Sequence, residues 1–282
     1  MSKRKRTVSI VVLVCILIAL LAGIVLTGTS KHGHGSIKEA MRDAVLHEAN
    51  QISFLGIKDV NPAFISAVTV TVVLLTAAVC IRIFVIPKFQ YVPGRFQMVL
   101  EELVGLFDGM AKTNSPHRNG FLGAYIFGAG VYIFVGTIFE LFGFQGITTE
   151  GLSVALPAPL SDINAAIAMG CLSYGIILSG GIVGNGFKGV ANTLKDFSLP
   201  ISMSFRLFGA LLSGLLVTEL VYYYISLSFV LPVVVGILFT LLHALIQTYV
   251  LTMLTALFYG EVSEPSHKEH TKNKKQEEKA VA

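Results

Sequence analysis

Long apolar stretches, more than amphipathic periods, organise this chain. Six of them, residues 8–28, 62–85, 121–143, 163–184, 198–227 and 229–259, reach the roughly 20 residues needed to cross about 30 Å of hydrocarbon. Backbone groups in lipid have no water to bond, so each stretch is expected to close its own hydrogen bonds as a helix. The pattern predicts an all-α polytopic membrane protein with five or six transmembrane helices. The last two stretches exceed the requirement, since about 30 residues at 1.5 Å each make helices of roughly 45 Å. They are expected to form a long, strongly tilted hairpin. "SLSFVLP", residues 226–232, is the turn signal between them, with Pro232 tolerable in a first helical turn.

Three segments fall outside the lipid. Residues 36–55, "SIKEAMRDAVLHEANQISFL", place apolar residues at helical spacing among mixed charges and read as an outer amphipathic helix. "PGRFQMVLEELVGLFDGM", residues 93–110, is its cytoplasmic counterpart. The tail is charged, almost free of large apolar residues, and reads as disordered. The expected division is residues 1–35 as a basic start and first membrane segment, 36–60 as the outer amphipathic segment, 61–260 as a helical membrane domain, and 261–282 as the tail.

Composition supports this division. Of the 282 residues 54% are hydrophobic and only 13% charged, about half the charged fraction of a soluble domain. The net charge of +4 is modest, but its placement fixes orientation. The segment from Arg82 to Arg118 carries Arg82, Lys88, Arg95, Lys112 and Arg118, and that from Gly184 to Arg206 carries Lys188 and Lys195, whereas residues 144–161 and 226–232 contain neither Lys nor Arg. The basic loops are therefore cytoplasmic. "MSKRKR" agrees, with both termini inside if the first stretch is an uncleaved anchor. The alternative is a cleaved signal peptide leaving five spans, which no A-x-A pattern supports. Cys15, Cys80 and Cys171 fall in apolar runs and read as small hydrophobes.

Soluble-enzyme signals are weak. "GNGFKG", residues 184–189, matches G-x-G-x-x-G, but a membrane stretch precedes it where a dinucleotide fold needs a strand, so it reads as a flexible cytoplasmic turn. His32, His34, His267 and His270 lie in polar segments and read as solvated. No metal site, cofactor or nucleic-acid partner is expected.

Chemistry concentrates in polar residues within the apolar stretches: Glu140, Arg206, Glu219, His243 and Gln247, with Asp162 and Asn164 opening the fourth. Each is expensive in hydrocarbon and is expected to face protein or water. Asp162 has a second reading as a helix cap, and His243 and Gln247 as interhelical hydrogen-bonding groups. Arg206 has no comparable excuse, because its guanidinium stays charged. At 100° per residue, Ala210 and Ser213 lie within about 40° of Arg206, and Gly209 and Gly214 border that face. Such a stripe admits a close partner helix. Glu219 sits about 20 Å further along, rotated by about 140°, so it belongs to another cavity.

These residues resemble a family, subunit a of the F-type ATP synthase, over roughly residues 60–260. "SFRLFGALLSGLLV" is similar to its arginine helix, "HALIQTYVLTMLTALFYGE" to its last helix, "LPAPLSDINAAIAMG" to the opening of the preceding span and "YVPGRFQMVLEELV" to its cytoplasmic stretch. The resemblance implies a static ion-channel subunit with two half-channels that load and unload protons on a rotating ring. ATP chemistry would occur on other subunits. Implied partners are a ring of small two-helix acid-containing subunits, the peripheral stalk subunit b and the lipid of an energy-coupling membrane, the inner membrane of a bacterium. Arg206 would be the essential ring-facing arginine and Gln247 its neighbour. Asp162 and Asn164 match polar positions of the outer path, and Glu140 falls where the family often has asparagine. Ala210 departs from a common asparagine and Leu215 from an acid or histidine. The family's ionisable partner before the glutamine would fall at Thr240. Glu219 and His243 are therefore expected to replace the usual outer pair. The rival reading is a self-contained secondary transporter with a midplane polar site; no internal repeat supports it. A structural anchor is disfavoured by the cost of Arg206.

The orientation is testable with a membrane-impermeant thiol reagent. A cysteine introduced at Lys112 should react only from the cytoplasmic face and one at Thr148 only from the outer face.

Overall fold

A computed structural model describes residues 52–54, 57–147, 153–223 and 231–264. The expected first span at 8–28 and most of the outer amphipathic helix lie outside the described residues, as do the turn at 224–230 and the tail beyond 264. Where the helical reading of 36–55 does reach them, it is corrected: β1 (Ile52–Phe54) pairs antiparallel with β2 (Ile57–Val60). β-branched Ile52, Ile57 and Val60 favour this extended pairing.

Six helices follow. α1 (Pro62–Cys80) starts where Asn61 accepts the N–H of Ala63 and Pro62 occupies the first turn, a position that needs no donor. It runs through a widened turn, Ile81–Val85, to a 3-10 turn ending at Lys88. α2 (Arg95–Asn114) and α3 (Gly120–Phe139) form an antiparallel pair. Phe107 of α2 occupies the space over Gly130, where a Cβ would lie 2.6 Å from the ring. The amphipathic segment at 93–110 is thus a helix as expected, with Phe107 and Ala111 buried in the main core. Beyond α3, a 3-10 turn (Glu140–Phe142) ends at Gly143, whose φ of 61° suits glycine. The outer loop then folds into a small hairpin, β3 (Gln145–Ile147) with β4 (Ser153–Ala155).

α4 (Ile163–Lys195) differs from the expected span plus flexible turn. Helical structure continues to Lys195, interrupted only at Gly186, where φ is 59° and ψ −139°. A side chain is strongly disfavoured in that region. The arm after Gly186 folds back along the first. Tyr174 donates its hydroxyl to the Thr193 carbonyl at 2.9 Å, and a Cβ on Gly189 would overlap the Gly181 carbonyl. "GNGFKG" is therefore a tight helical reversal rather than a loose loop.

α5 (Ser198–Tyr223) continues this returning path beside α4, and α6 (Leu231–Ser263) packs on α3, α4 and α5. α4 and α6 run parallel, since Gly180 meets Tyr259 and Gly184 meets Ser263. α5 and α6 run antiparallel, with Gly214 against His243. Four stretches, Pro62–Lys88, Gly120–Phe142, Ile163–Lys195 and Gly236–Ser263, are long and apolar enough among the described residues to cross a membrane. The fold is an all-α polytopic membrane protein. Its main core joins α2 to α6 through Phe107, Leu122, Ile126, Ile177, Leu207 and Leu251, and a smaller outer cluster joins Ile52, Ile65, Val70, Phe139 and Leu156.

Close approach of α4 and α5 depends on Gly170. A Cβ there would overlap the Ser204 hydroxyl and lie 2.8 Å from the Pro200 carbonyl, whereas at Gly175 it would meet nothing within 4 Å. Gly170→Val should therefore destabilise the purified protein by about 1–3 kcal/mol. Gly175→Ala should be neutral or stabilising by up to about 1 kcal/mol. Thermal unfolding midpoints in detergent measure both.

Candidate functional site

α5 has two faces. Met203, Ser204, Leu207 and Leu211 are buried against the bundle. Phe205, Arg206, Gly209 and Ser213 are exposed on the other side, and nothing lies within 4 Å of a Cβ built on Gly209. The 3.6-residue period produces this division without any irregularity in the helix. The small-residue stripe splits along it. Gly209 and Ser213 share the open face with Arg206, Ala210 is half-buried, and Gly214 turns toward α6, where a Cβ would come 3.2 Å from His243 Nδ1. Among the described residues no ion pair involves Arg206; the pair present joins Lys112 to Asp108 at 2.6 Å on α2.

On α6, His243 is half-buried and tilts against Phe239, with ring centroids 5.8 Å apart. Gln247 is 5% exposed, and its Oε1 has no hydrogen-bond partner among the described residues. With Gly214 facing His243, an antiparallel register puts Gln247 roughly level with Ala210, one helical turn from Arg206. An orphaned buried acceptor thus lies near the level of a guanidinium with five N–H donors. Glu219 lies within α5, but its side chain is outside what the structure describes.

A second group lies where α1 and α4 begin and α3 ends. Asp162 caps α4: its Oδ1 accepts the N–H of Asn164 at 2.6 Å and of Ala165 at 3.4 Å. Its Oδ2 accepts from the Asn61 side-chain amide. Asn61 meanwhile caps α1 through its Oδ1, so one asparagine joins the starts of two helices. The sequence reading missed Asn61, although asparagine before proline at the head of an apolar run is a helix-start signal. Glu140 is half-buried just beyond the end of α3, while Asn164 is exposed. Arg206, Gln247 and His243 thus belong to the α5–α6 pair, and Asp162 and Glu140 to this second group.

No group of three or more His, Cys, Asp or Glu side chains able to hold a metal occurs among the described residues. Together these features define a polytopic helical membrane subunit with a charged residue presented on an open helix face. Residues 64–260 match the ATP synthase A chain family, and the chain belongs to it. It is 26% identical over 188 residues to an ATP synthase subunit a of Cereibacter sphaeroides, covering 62% of this chain and 72% of that one. It is 28% identical over 199 residues to the subunit a of Histophilus somni, covering 59% and 73%. With that of Beijerinckia indica the identity is 24% over 238 residues, covering 77% and 92%. Membership makes this a multi-pass, ion-translocating subunit of the synthase membrane sector.

The double cap separates structure from ion chemistry. Asn61→Ala removes the α1 cap and one donor to Asp162, and should lower stability in detergent by about 0.5–2 kcal/mol. Asp162→Asn, which still offers an oxygen to the α4 N–H groups, should fold and retain ion translocation if the carboxylate serves mainly as a cap. Thermal unfolding and proton-flux assays on the same membranes separate the two.

Proposed function

We propose that this chain is the static half of a rotary ion motor, in which Arg206 faces the carboxylates of a ring of small two-helix subunits. The observation that carries this reading is the exposed guanidinium on a helix buried along its other face. A charge in hydrocarbon costs from about 2.5 to more than 10 kcal/mol, and an anionic partner offsets that cost. Gly209 and Ser213 beside it leave room for the partner helix to come close.

Two aqueous half-channels, one open to each side, would reach the ring on either side of Arg206. A ring carboxylate crosses lipid at low cost only when protonated, so it loses and regains its proton where water reaches it. Arg206 attracts the ionised form and blocks direct passage between the openings. Gln247, with its unpartnered Oε1, accepts from the guanidinium and orients it. The outer path runs through Glu140, Glu219 and His243. Asp162 and Asn164 line its mouth, with the Asp162 carboxylate held chiefly as a cap. Each charge moved contributes about 2.3 kcal/mol per 100 mV. ATP chemistry resides on other subunits, the peripheral stalk subunit b holds this chain still, and the setting is the inner membrane of a bacterium.

The assembled complex in membrane vesicles tests this. Arg206→Ala should abolish ATP-driven proton pumping and leave ATP hydrolysis by the soluble sector. Coupled pumping retained in that variant would overturn the assignment. So would purification of the wild-type chain as a stable, transport-competent monomer without ring subunits, which is what a self-contained transporter predicts.

A further inference from the structure

The cytoplasmic end of α6 is held unusually closely by three other elements. Asn185, one residue before the Gly186 reversal in α4, donates its side-chain amide to the carbonyls of Val262 at 3.0 Å and Glu264 at 2.8 Å. The last carbonyls of a helix have no partner within it, and here another helix supplies the donor. Ser263 adds a 3.0 Å hydrogen bond to His117 Nε2, from the segment joining α2 to α3. Gly184 and Gly260 allow the backbones to touch. A Cβ on Gly184 would lie 2.6 Å from the Ser263 carbonyl, and one on Gly260 would overlap the Asn114 carbonyl at the end of α2.

Every glycine of "GNGFKG" therefore has a structural task, and its asparagine has another. Gly184 seats the end of α6, Gly186 makes the reversal at φ 59°, and Gly189 packs on Gly181. The first arm of α4 brings the Asn185 amide to the α6 terminus, and the reversal at Gly186 then turns the chain back along α4. Nearer the middle of α6, the Gly214–His243 contact sets its level against α5, and Gln247 follows one turn later on the same helix. A helix is stiff along its axis. Displacement of its terminus at Ser263 by part of a turn, within a pitch of about 5.4 Å, shifts Gln247 relative to Arg206 by the same amount.

We propose that Asn185 is a positioning residue for ion translocation: by capping α6 from the α4 reversal it fixes the axial register of α6, and with it the level of Gln247 relative to Arg206. This rests on the reading of Arg206 and Gln247 given above. Asn185 itself handles no ion; it acts through the helix that it holds.

The test uses the whole synthase in membrane vesicles and scores ATP-driven proton pumping per assembled complex. Asn185→Asp is isosteric but has no N–H groups and sets a carboxylate against two carbonyls. Asn185→Ala removes the cap without that repulsion, and Asn185→Gln keeps both donors. Pumping per complex should fall about three- to tenfold in the aspartate and alanine variants, the size of one lost hydrogen bond. ATP hydrolysis should persist, and the glutamine variant should recover most of the loss. Wild-type pumping per complex in Asn185→Asp and Asn185→Ala overturns the proposal, as does an Asn185→Gln variant no better than the aspartate one. Failure of both cap-less variants to assemble also overturns it, because the residue then serves folding rather than register. Arg206→Ala measured alongside keeps the two readings apart. If it still pumps, the motor reading fails; if it does not pump while Asn185→Asp does, only the register proposal fails.

Discussion

Hydrocarbon offers no hydrogen-bond partner, and that constraint shapes the chain at every level. Within the helices, hydroxyls turn back onto their own backbone: Thr69 onto Ile65, Thr137 onto Ile133, Ser204 onto Pro200, Thr252 onto Thr248 and Thr255 onto Leu251, all between 2.7 and 2.8 Å. These residues are polar in composition yet behave as apolar ones toward their neighbours. Helix ends cannot be satisfied in this way, because the first N–H and last C=O groups lack intrahelical partners. The fold answers with side-chain caps, local at two helix starts and from another helix at one helix end. Asn61 and Asp162 close two helix starts, and Asn185 closes a helix end.

A second consequence concerns distance. Between helices in lipid, association depends on van der Waals packing more than on expulsion of water. Glycines at Gly170, Gly180, Gly184 and Gly260 let α4, α5 and α6 and the end of α2 come together at separations where a Cβ would clash. The same residue type on α5 has the opposite use at Gly209, where the space is open. Within the bundle glycine marks a contact already made; beside Arg206 it borders open space.

That contrast gives Arg206 its meaning. The buried face of α5 is committed to the bundle by Leu207 and Leu211, so the guanidinium can only point away from it. Gln247 lies on the buried side with an unanswered oxygen. On the reading proposed above, the two would meet at the margin between α5, α6 and whatever covers the open face.

Much of this was legible in the chain itself. The apolar runs at 62–85, 121–143 and 163–184 were readable because about 20 apolar residues have one stable arrangement in lipid, and the structure has helices there. Arg206 stood out for the same reason, since its charge has no local excuse. Other features were settled by residues far apart in sequence. Asp162 reads equally as cap or ion carrier until Asn61, 101 residues away, is seen bonded to it. "GNGFKG" reads as a loose turn until Gly181, Val262 and Ser263 are placed around it. Ile52–Phe54 read as helix until Ile57–Val60 offered a strand to pair with. Sequence alone determined that 62–85, 121–143 and 163–184 are long apolar helices and that Arg206 is the costly charge, because transfer free energies belong to single residues and short windows. Which small or polar residue closes a contact, and which stays open for another chain, depends on tertiary neighbours, and only the folded bundle decided it.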